Sequence, residues 1–70
     1  MRNFYFVIVE EIDGKKIAYS EKVPEWQNIV SRWDSSSVLC VTPIATKRGA
    51  EHIANEWNNG FKKNGEFLFL

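Results

Sequence analysis

Residues 46–65 read TKRGAEHIANEWNNGFKKNG, and this segment predicts one amphipathic helix that decides the fold. Thr46 belongs to the residue types that cap helices at their start, and Asn64-Gly65 supplies the left-handed residue that ends them. Apolar side chains recur between these signals at helical spacing, and the stripe they form consists of Ala50, Ile53, Ala54, Trp57 and Phe61. A 70-residue chain with one long helix has to pack such a stripe against a sheet.

The start of this helix departs from the strongest capping pattern. Gly49 stands where a capping box has Glu or Gln. We therefore expect replacement of Gly49 by Ala or Glu to stabilise the helix by about 1 kcal/mol if the position is exposed.

The preceding residues 3–23 predict a β-hairpin. Asp13-Gly14 favours a type I′ turn, because both central positions of that turn need a positive φ. A turn at this point sets the register, whose pairs include Ile12–Lys15, Glu11–Lys16, Val9–Ala18 and Ile8–Tyr19. The pairing separates an apolar face from a half-polar one, which supports the register.

The apolar face is predicted to be core, and it carries Phe4, Phe6, Ile8, Ile12, Ile17, Tyr19 and Val23. The other face carries an apolar strip made of Tyr5, Val7, Val9 and Ala18. Since one helix covers one face of a sheet, we expect this strip to lie on the face that the helix leaves open. Either residues 24–33 or a second copy of the chain then covers it, because an open apolar patch promotes association.

The remaining segments complete an α+β fold in a single domain, residues 1–70. Trp26, Ile29, Val30 and Trp33 have helical spacing, so residues 24–33 are interpreted as a short helix, with an irregular loop as the alternative. Residues 38–42 predict a strand that Pro43 ends, and residues 66–70 predict a last strand. The expected architecture is an antiparallel sheet of about four strands with the main helix, 46–63, packed on one face.

The composition argues against several kinds of function. Nine Lys and Arg balance nine Asp and Glu, whereas chains that bind nucleic acid phosphates generally carry a basic excess. A single Cys and a single His cannot build a metal site of the usual ligand count. Cys40 is predicted to be a buried structural residue in a strand, and His52 to lie on the solvated helix face. The sequence thus predicts no enzyme, no cofactor and no metal.

A soluble, cytoplasmic protein that binds other proteins is the interpretation we favour. The N-terminal apolar run is too short for a membrane span, and we expect no membrane partner. The candidate interaction surface is Tyr5, Val7, Val9, Ala18, Trp26 and Trp33, with a homodimer or another protein as partner. Trp is enriched at interface hot spots, although Trp26 and Trp33 forming a second core layer fits the sequence equally well.

Two resemblances bear on function. The pattern Thr46-Lys47-Arg48-x-Ala50-Glu51-x-Ile53-Ala54-x-x-Trp57-Asn58, followed by Lys62-Lys63-Asn64-Gly65, resembles small uncharacterised proteins of gut bacteria, some of them in mobile elements. That resemblance extends over most of the chain. It implies a setting, that of a mobile-element accessory factor, and no activity.

The second resemblance concerns the helix start alone. Three strands followed by a helix that opens Thr-Lys-x-x-Ala-Glu are similar to the arm-type DNA-binding domains of integrases, which lay their sheet in the major groove. This similarity implies nucleic-acid contacts at Lys16, Lys22, Lys47 and Arg48. The zero net charge, the strand expected after the helix and the apolar strip on the matching face depart from that pattern, so nucleic acid is the disfavoured alternative.

Overall fold

The computed structural model describes residues 4–23 and 36–68. Within these ranges the elements are β1 (Phe4–Ile12), β2 (Lys15–Val23), β3 (Val38–Ile44) and α1 (Lys47–Lys63). The strands form an antiparallel sheet in the order β2-β1-β3, and α1 packs chiefly over β2 and β1. The predicted α+β class is confirmed. The short helix expected at 24–33, with Trp26 and Trp33, lies outside the described residues.

The hairpin has the turn and the register that the sequence predicts. Asp13 and Gly14 have φ values of 52° and 81°, which is the pair of positive angles that a type I′ turn requires. The observed partners include Ile12–Lys15, Glu11–Lys16, Val9–Ala18 and Ile8–Tyr19. A two-residue turn therefore fixes which side chains share each face of the sheet.

The helix covers the opposite face from the one we expected. Val7, Val9 and Ala18 are at most 3 % exposed, and they form one cluster with Ala50, Ala54 and Phe61 of α1. The strip that was to remain open is thus the floor under the helix, and Tyr5 packs against its margin. Val7, Val9 and Ala18 have side chains of small or medium size, and Ala50 and Ala54 let the helix approach them closely.

The larger apolar side chains form a second cluster on the other face of the sheet. Phe6, Ile8 and Val23 are at most 1 % exposed, and Phe4, Tyr19, Val38 and Val41 pack against them. Glu10 interrupts this face, but the hydroxyl of Tyr19 donates a hydrogen bond of 2.8 Å to its carboxylate. The face predicted to be core is therefore buried at Phe6, Ile8 and Val23, although α1 does not cover it. The prediction is wrong for Ile12, which is 43 % exposed because it lies beside the turn at the end of β1.

Both ends of α1 agree with the sequence. Thr46 caps the start, where its hydroxyl oxygen accepts a hydrogen bond of 3.0 Å from the Gly49 N–H. At the other end Gly65 has a φ of 74°, and the N–H groups of Gly65 and Glu66 donate to the carbonyls of Lys62 and Phe61. These two bonds make a Schellman motif, which turns the chain back toward β2.

Within the described residues 66–68, the predicted C-terminal strand forms a single parallel bridge, Lys16–Phe67, so a sheet of four strands is not confirmed. The Lys16 N–H donates to the Glu66 carbonyl at 2.6 Å, and the Leu68 N–H donates to the Lys16 carbonyl at 2.9 Å. The next backbone groups on this edge of β2 belong to Ala18. They are hydrogen-bonded to the side chain of Asn58, so the parallel pairing stops after Lys16.

Strand β3 continues through Pro43 instead of ending before it. Pro43 lies opposite Phe6, between the pairs Val7–Thr42 and Tyr5–Ile44. Because backbone groups alternate in direction along a strand, the position of Pro43 faces away from β1 and needs no donor. The proline therefore fits on the outer edge of the sheet at no cost in hydrogen bonds.

Candidate functional site

An open groove runs along the flank of α1, and we call it the Trp57 groove. Its volume is about 440 Å³. Its lining is mainly apolar and consists of His52, Ile53, Glu56, Trp57, Gly60, Phe61, Asn64 and Glu66. Trp57 is 46 % exposed, although the sequence places it in the buried stripe. An exposed Trp beside further apolar side chains is typical of a protein-interaction surface.

The exposure of Trp57 follows from the position of its neighbour Asn58. The amide nitrogen of Asn58 donates to the Ala18 carbonyl at 2.8 Å, and its amide oxygen accepts from the Ala18 N–H at 2.7 Å. Consecutive helical residues point about 100° apart. The rotation of α1 that brings Asn58 to β2 therefore turns Trp57 toward the opposite flank, where its ring packs on Phe61 with a centroid separation of 5.7 Å.

Gly60 gives this groove its depth. A Cβ added at Gly60 would meet no atom within 4 Å, so the absence of a side chain leaves a gap beside Trp57. Glycine inside a helix costs about 1 kcal/mol relative to alanine. That unfavourable residue near the end of a long helix was the sequence signal for the groove, and our sequence analysis missed it.

Both ends of the Trp57 groove carry polar side chains. His52 lies toward the start of α1, exposed as predicted, with its Nε2 4.0 Å from the Glu56 carboxylate. Glu66 lies at the other end, where its carboxylate accepts a hydrogen bond of 2.6 Å from the Lys16 Nζ. This hydrogen bond, and then the charge of Lys16, lowers the pKa of Glu66, and the same hydrogen bond raises the pKa of Lys16.

The helix-side face of β3 is uncovered next to this groove. Cys40 and Thr42 lie opposite Val9 and Val7, so their side chains point to the same side of the sheet as α1. Both are exposed, because α1 packs over β2 and β1. The prediction that Cys40 is buried is therefore wrong. Strand content alone did not reveal that β3 lies beyond the reach of the helix.

A second groove lies at the other side of α1, and we call it the edge groove. Its volume is about 490 Å³, and it is lined by Tyr5, Ser20, Glu21, Lys22, Lys47 and Glu51. Polar and charged side chains dominate it. It joins the start of α1 to the last residues of β2, at the sheet edge opposite β3.

The four basic residues proposed for nucleic acid binding do not form one surface. Lys22 and Lys47 come together in the edge groove, with Glu21 and Glu51 beside them. Lys16 is paired with Glu66 and lies 4.0 Å from Glu11. Arg48 is exposed at the start of α1 and does not line either groove. The structure thus offers two lysines among acids, where a phosphate-binding surface would have an uninterrupted basic patch.

Metal chemistry finds no support in the described part of the chain. Residues 4–23 and 36–68 contain no cluster of three His, Cys, Asp or Glu side chains that would hold a metal ion. The Trp57 groove gathers His52 with two carboxylates, but Cys40 lies on another element and does not line it.

Comparisons with family models, with curated proteins and with solved structures give no match to this chain. Within the described ranges, no helix has the length and apolar character needed to cross a membrane.

Proposed function

We propose that this protein is a small, non-enzymatic protein-interaction module that self-associates through the Trp57 groove. The observation that carries the proposal is the placement of Trp57, 46 % exposed, beside the gap at Gly60 on one helix flank. The bacterial resemblance described above adds the proposal that the module serves as an accessory factor of a mobile element.

A protrusion and a gap on the same flank make the surface complementary to itself. Trp57 and Gly60 are three residues apart on α1, and Ile53 and Asn64 continue the row in both directions. A twofold axis between two antiparallel copies of α1 brings the Trp57 ring of each copy over the Gly60 of the other. Isologous contacts of this kind are the commonest form of soluble oligomer.

The uncovered face of β3 has room for the second helix. Asn58 binds the outer edge of β2, so Ile53, Trp57 and Gly60 lie on the flank of α1 that faces β3. A partner helix placed against this flank also covers Cys40 and Thr42. Each sheet is then covered partly by its own helix and partly by the helix of the other copy, with both helices in one layer between two sheets.

The polar ends of the groove and the available area are compatible with this arrangement. A twofold axis exchanges the ends of the groove, so His52 of one copy approaches the end of the other copy that carries Glu66. The accessible surface of the chain is 4923 Å², and a specific interface takes about 10 % of a small protein, which is about 500 Å² per copy. This is the low end for a specific interface, so we expect a dimer with a dissociation constant in the micromolar range or weaker.

Sedimentation equilibrium over a wide concentration range tests the proposal. The wild-type chain should shift from monomer to dimer, and Gly60→Leu should remain a monomer, because the added side chain fills the gap that receives Trp57. Asn59→Leu is the matched control: it adds the same side chain on the outer helix face and should dimerise like the wild type. Reducing conditions exclude dimers linked through Cys40.

The thiol of Cys40 supplies a second readout of the same contact. Its reaction with a thiol reagent should slow as the protein concentration rises, because the partner helix covers it, and Gly60→Leu should abolish this dependence. A wild-type chain that stays monomeric at millimolar concentration would sink the proposal. Dimerisation that Gly60→Leu leaves unchanged would place the contact elsewhere.

A further inference from the structure

The outer edge of β2 is closed along one half only. In an antiparallel pair, alternate residues turn their N–H and C=O groups away from the partner strand. The bonds made by Lys16 and Ala18 show that the even-numbered residues of β2 face outward. Lys16 is paired with the main chain of Glu66 and Leu68, and Ala18 is paired with the side chain of Asn58.

The other half of the edge is open within the described part of the chain. Ser20 and Lys22 are the next outward-facing positions, and no group of residues 4–23 or 36–68 is bonded to their outward N–H and C=O groups. Both residues also line the edge groove. A row of free backbone donors and acceptors is the feature to which an extended peptide adds as a further strand.

We propose that this open half-edge binds an extended, acidic peptide segment of another protein by strand addition. Two outward-facing residues provide two donors and two acceptors, hence up to four backbone hydrogen bonds with a peptide of about three to five residues. Alternate peptide side chains then point toward α1, into the edge groove. There they meet the side chains of Lys22, Lys47 and Glu51. Glu21 also borders this groove, but it lies opposite Phe6 in the sheet, so its side chain points to the face away from α1. Two ammonium groups and one carboxylate on the α1 side favour an acidic peptide side chain.

A second copy of the chain fits this edge less well than an acidic peptide does. Pairing of two β2 strands around a twofold axis would place Ser20 opposite Lys22 in both directions. The two Lys22 side chains would then occupy diagonal positions on one face, close enough for like charges to repel. In the described part of the segment after Lys63, residues 64–68, pairing with β2 is limited to Lys16, and the amide of Asn58 already binds the next edge residue, Ala18.

The test uses the folded 70-residue chain, and a chain of this length is accessible to total chemical synthesis. The probes are two capped peptides, acetyl-Thr-Val-Glu-Val-Thr-amide and its counterpart with Lys in place of Glu, titrated into isotopically labelled protein and followed by NMR. We expect the acidic peptide to shift the amide signals of Ser20 and Lys22 and to bind at least tenfold more tightly than the basic one. Lys47→Gln should weaken its binding severalfold, and Arg48→Gln, outside the groove, should not.

N-methylation of the Ser20 amide separates backbone pairing from simple charge attraction. That amide faces outward, so its methylation removes a donor for the peptide and no bond of the sheet. Binding of the acidic peptide should fall at least tenfold, while the circular dichroism spectrum and the thermal midpoint stay close to those of the unmodified protein.

Five results would overturn the inference. The first is that millimolar acidic peptide shifts no amide signals, and the second is that the shifted signals belong to the Trp57 groove. The third is that the acidic peptide binds equally well after N-methylation of the Ser20 amide. The fourth is a self-association that N-methylation of Ser20 abolishes, which would make a second copy the occupant. A short DNA duplex that competes with the peptide at equal affinity would likewise replace the peptide by nucleic acid.

Discussion

The side chain of Asn58 forms two hydrogen bonds with the backbone of Ala18, one in each direction, at 2.7 and 2.8 Å. A primary amide carries a donor and an acceptor side by side, so it satisfies both outward groups of one strand residue in the way a neighbouring strand would. This contact joins α1 to the edge of β2, ends the parallel pairing of the C-terminal segment and sets the direction in which Trp57 points.

Asn58→Ala should lower the free energy of unfolding by about 2 kcal/mol, because it removes two hydrogen bonds and leaves two half-buried backbone groups unpaired. Urea unfolding measures this change, and faster hydrogen exchange of the Ala18 amide should accompany it. Asn59→Ala is the control, since Asn59 is exposed on the same helix and its replacement should be neutral or slightly stabilising. Equal effects at the two positions would refute a specific role for Asn58.

The two glycines of α1 should respond in opposite ways to replacement by alanine. Gly60→Ala should stabilise the protein by about 1 kcal/mol, because the new methyl group meets no atom and the helix gains propensity. At Gly49 a Cβ would lie 2.9 Å from the Thr46 Oγ1 and 3.2 Å from the Ile44 Cγ2. Contrary to our sequence-based expectation, Gly49→Ala should therefore bring no gain, because it disturbs the cap.

Thermal and urea unfolding of both alanine variants check this contrast. Thr46→Ala is the useful reference, since loss of the cap costs about 1 kcal/mol and removes the oxygen that the new methyl group would meet. Gly49→Ala should be less harmful in the Thr46→Ala background than in the wild type. A gain of about 1 kcal/mol at Gly49 in the wild type would contradict the geometry.

The Lys16–Glu66 pair should give the stability a defined pH dependence. The pKa of Glu66 is lowered from its usual 4.5, chiefly by the hydrogen bond from Lys16. Its contribution is therefore complete above pH 4.5 and is lost as the pH falls through the lowered value. The pKa of Lys16 is raised above 10.5, so its contribution is complete below pH 10.5 and is lost as the pH rises through the raised value.

Urea midpoints at a series of pH values, for the wild type and Glu66→Gln, measure this dependence. The variant should be less stable near neutral pH, and the difference should disappear in acid. Glu51→Gln is the control for the loss of one negative charge, because Glu51 is exposed and makes no ion pair with Lys16. A constant difference for Glu66→Gln across the acid range would argue against the pair.

Cys40 should react with a thiol reagent in dilute, native protein without any denaturant, because it is exposed on β3. One equivalent per chain should be modified on the timescale of a small-molecule thiol. A control with Cys40→Ser should show no reaction. If modification required urea, the assignment of β3 as a strand that α1 leaves uncovered would be wrong.

The sequence predicted those parts of the fold that local chemistry determines. Asp13-Gly14 determines the turn, and the turn determines the register of β1 and β2. Thr46 and Gly65 mark the ends of α1 because their own conformations cap it. The choice of sheet face was not predictable in this way. Both faces of the hairpin carry enough apolar residues to form a core, and alternation alone cannot decide which one a helix covers.

The candidate site could not be predicted from the sequence, because the helical pattern does not decide which of two neighbouring residues points toward the sheet. Trp57 and Asn58 both lie near the inner side of α1, and a hydrophobic pattern places Trp57 inward. The hydrophobic pattern does not show that β2 lies at the edge of the sheet. At that edge the N–H and C=O groups of Ala18 have no neighbouring strand, and Asn58 points inward because its side chain binds them. The predictions for Cys40 as a buried residue and for Pro43 as the end of a strand were wrong for the same reason. Both residues lie on β3, and the sequence pattern does not reveal the strand order that places β3 at an edge of the described sheet.

The connection between α1 and β2 also has a consequence for the order of folding events. The hairpin closes over a few residues and can form within microseconds, whereas the groups that close the edge of β2 are 40 and 50 residues away along the chain. Until α1 docks, the edge exposes the outward groups of four residues, Lys16, Ala18, Ser20 and Lys22. A chain with the hairpin formed and α1 undocked would therefore present twice the length of open edge that the described residues leave in the folded state, and refolding at high protein concentration should lose material to strand-paired aggregates.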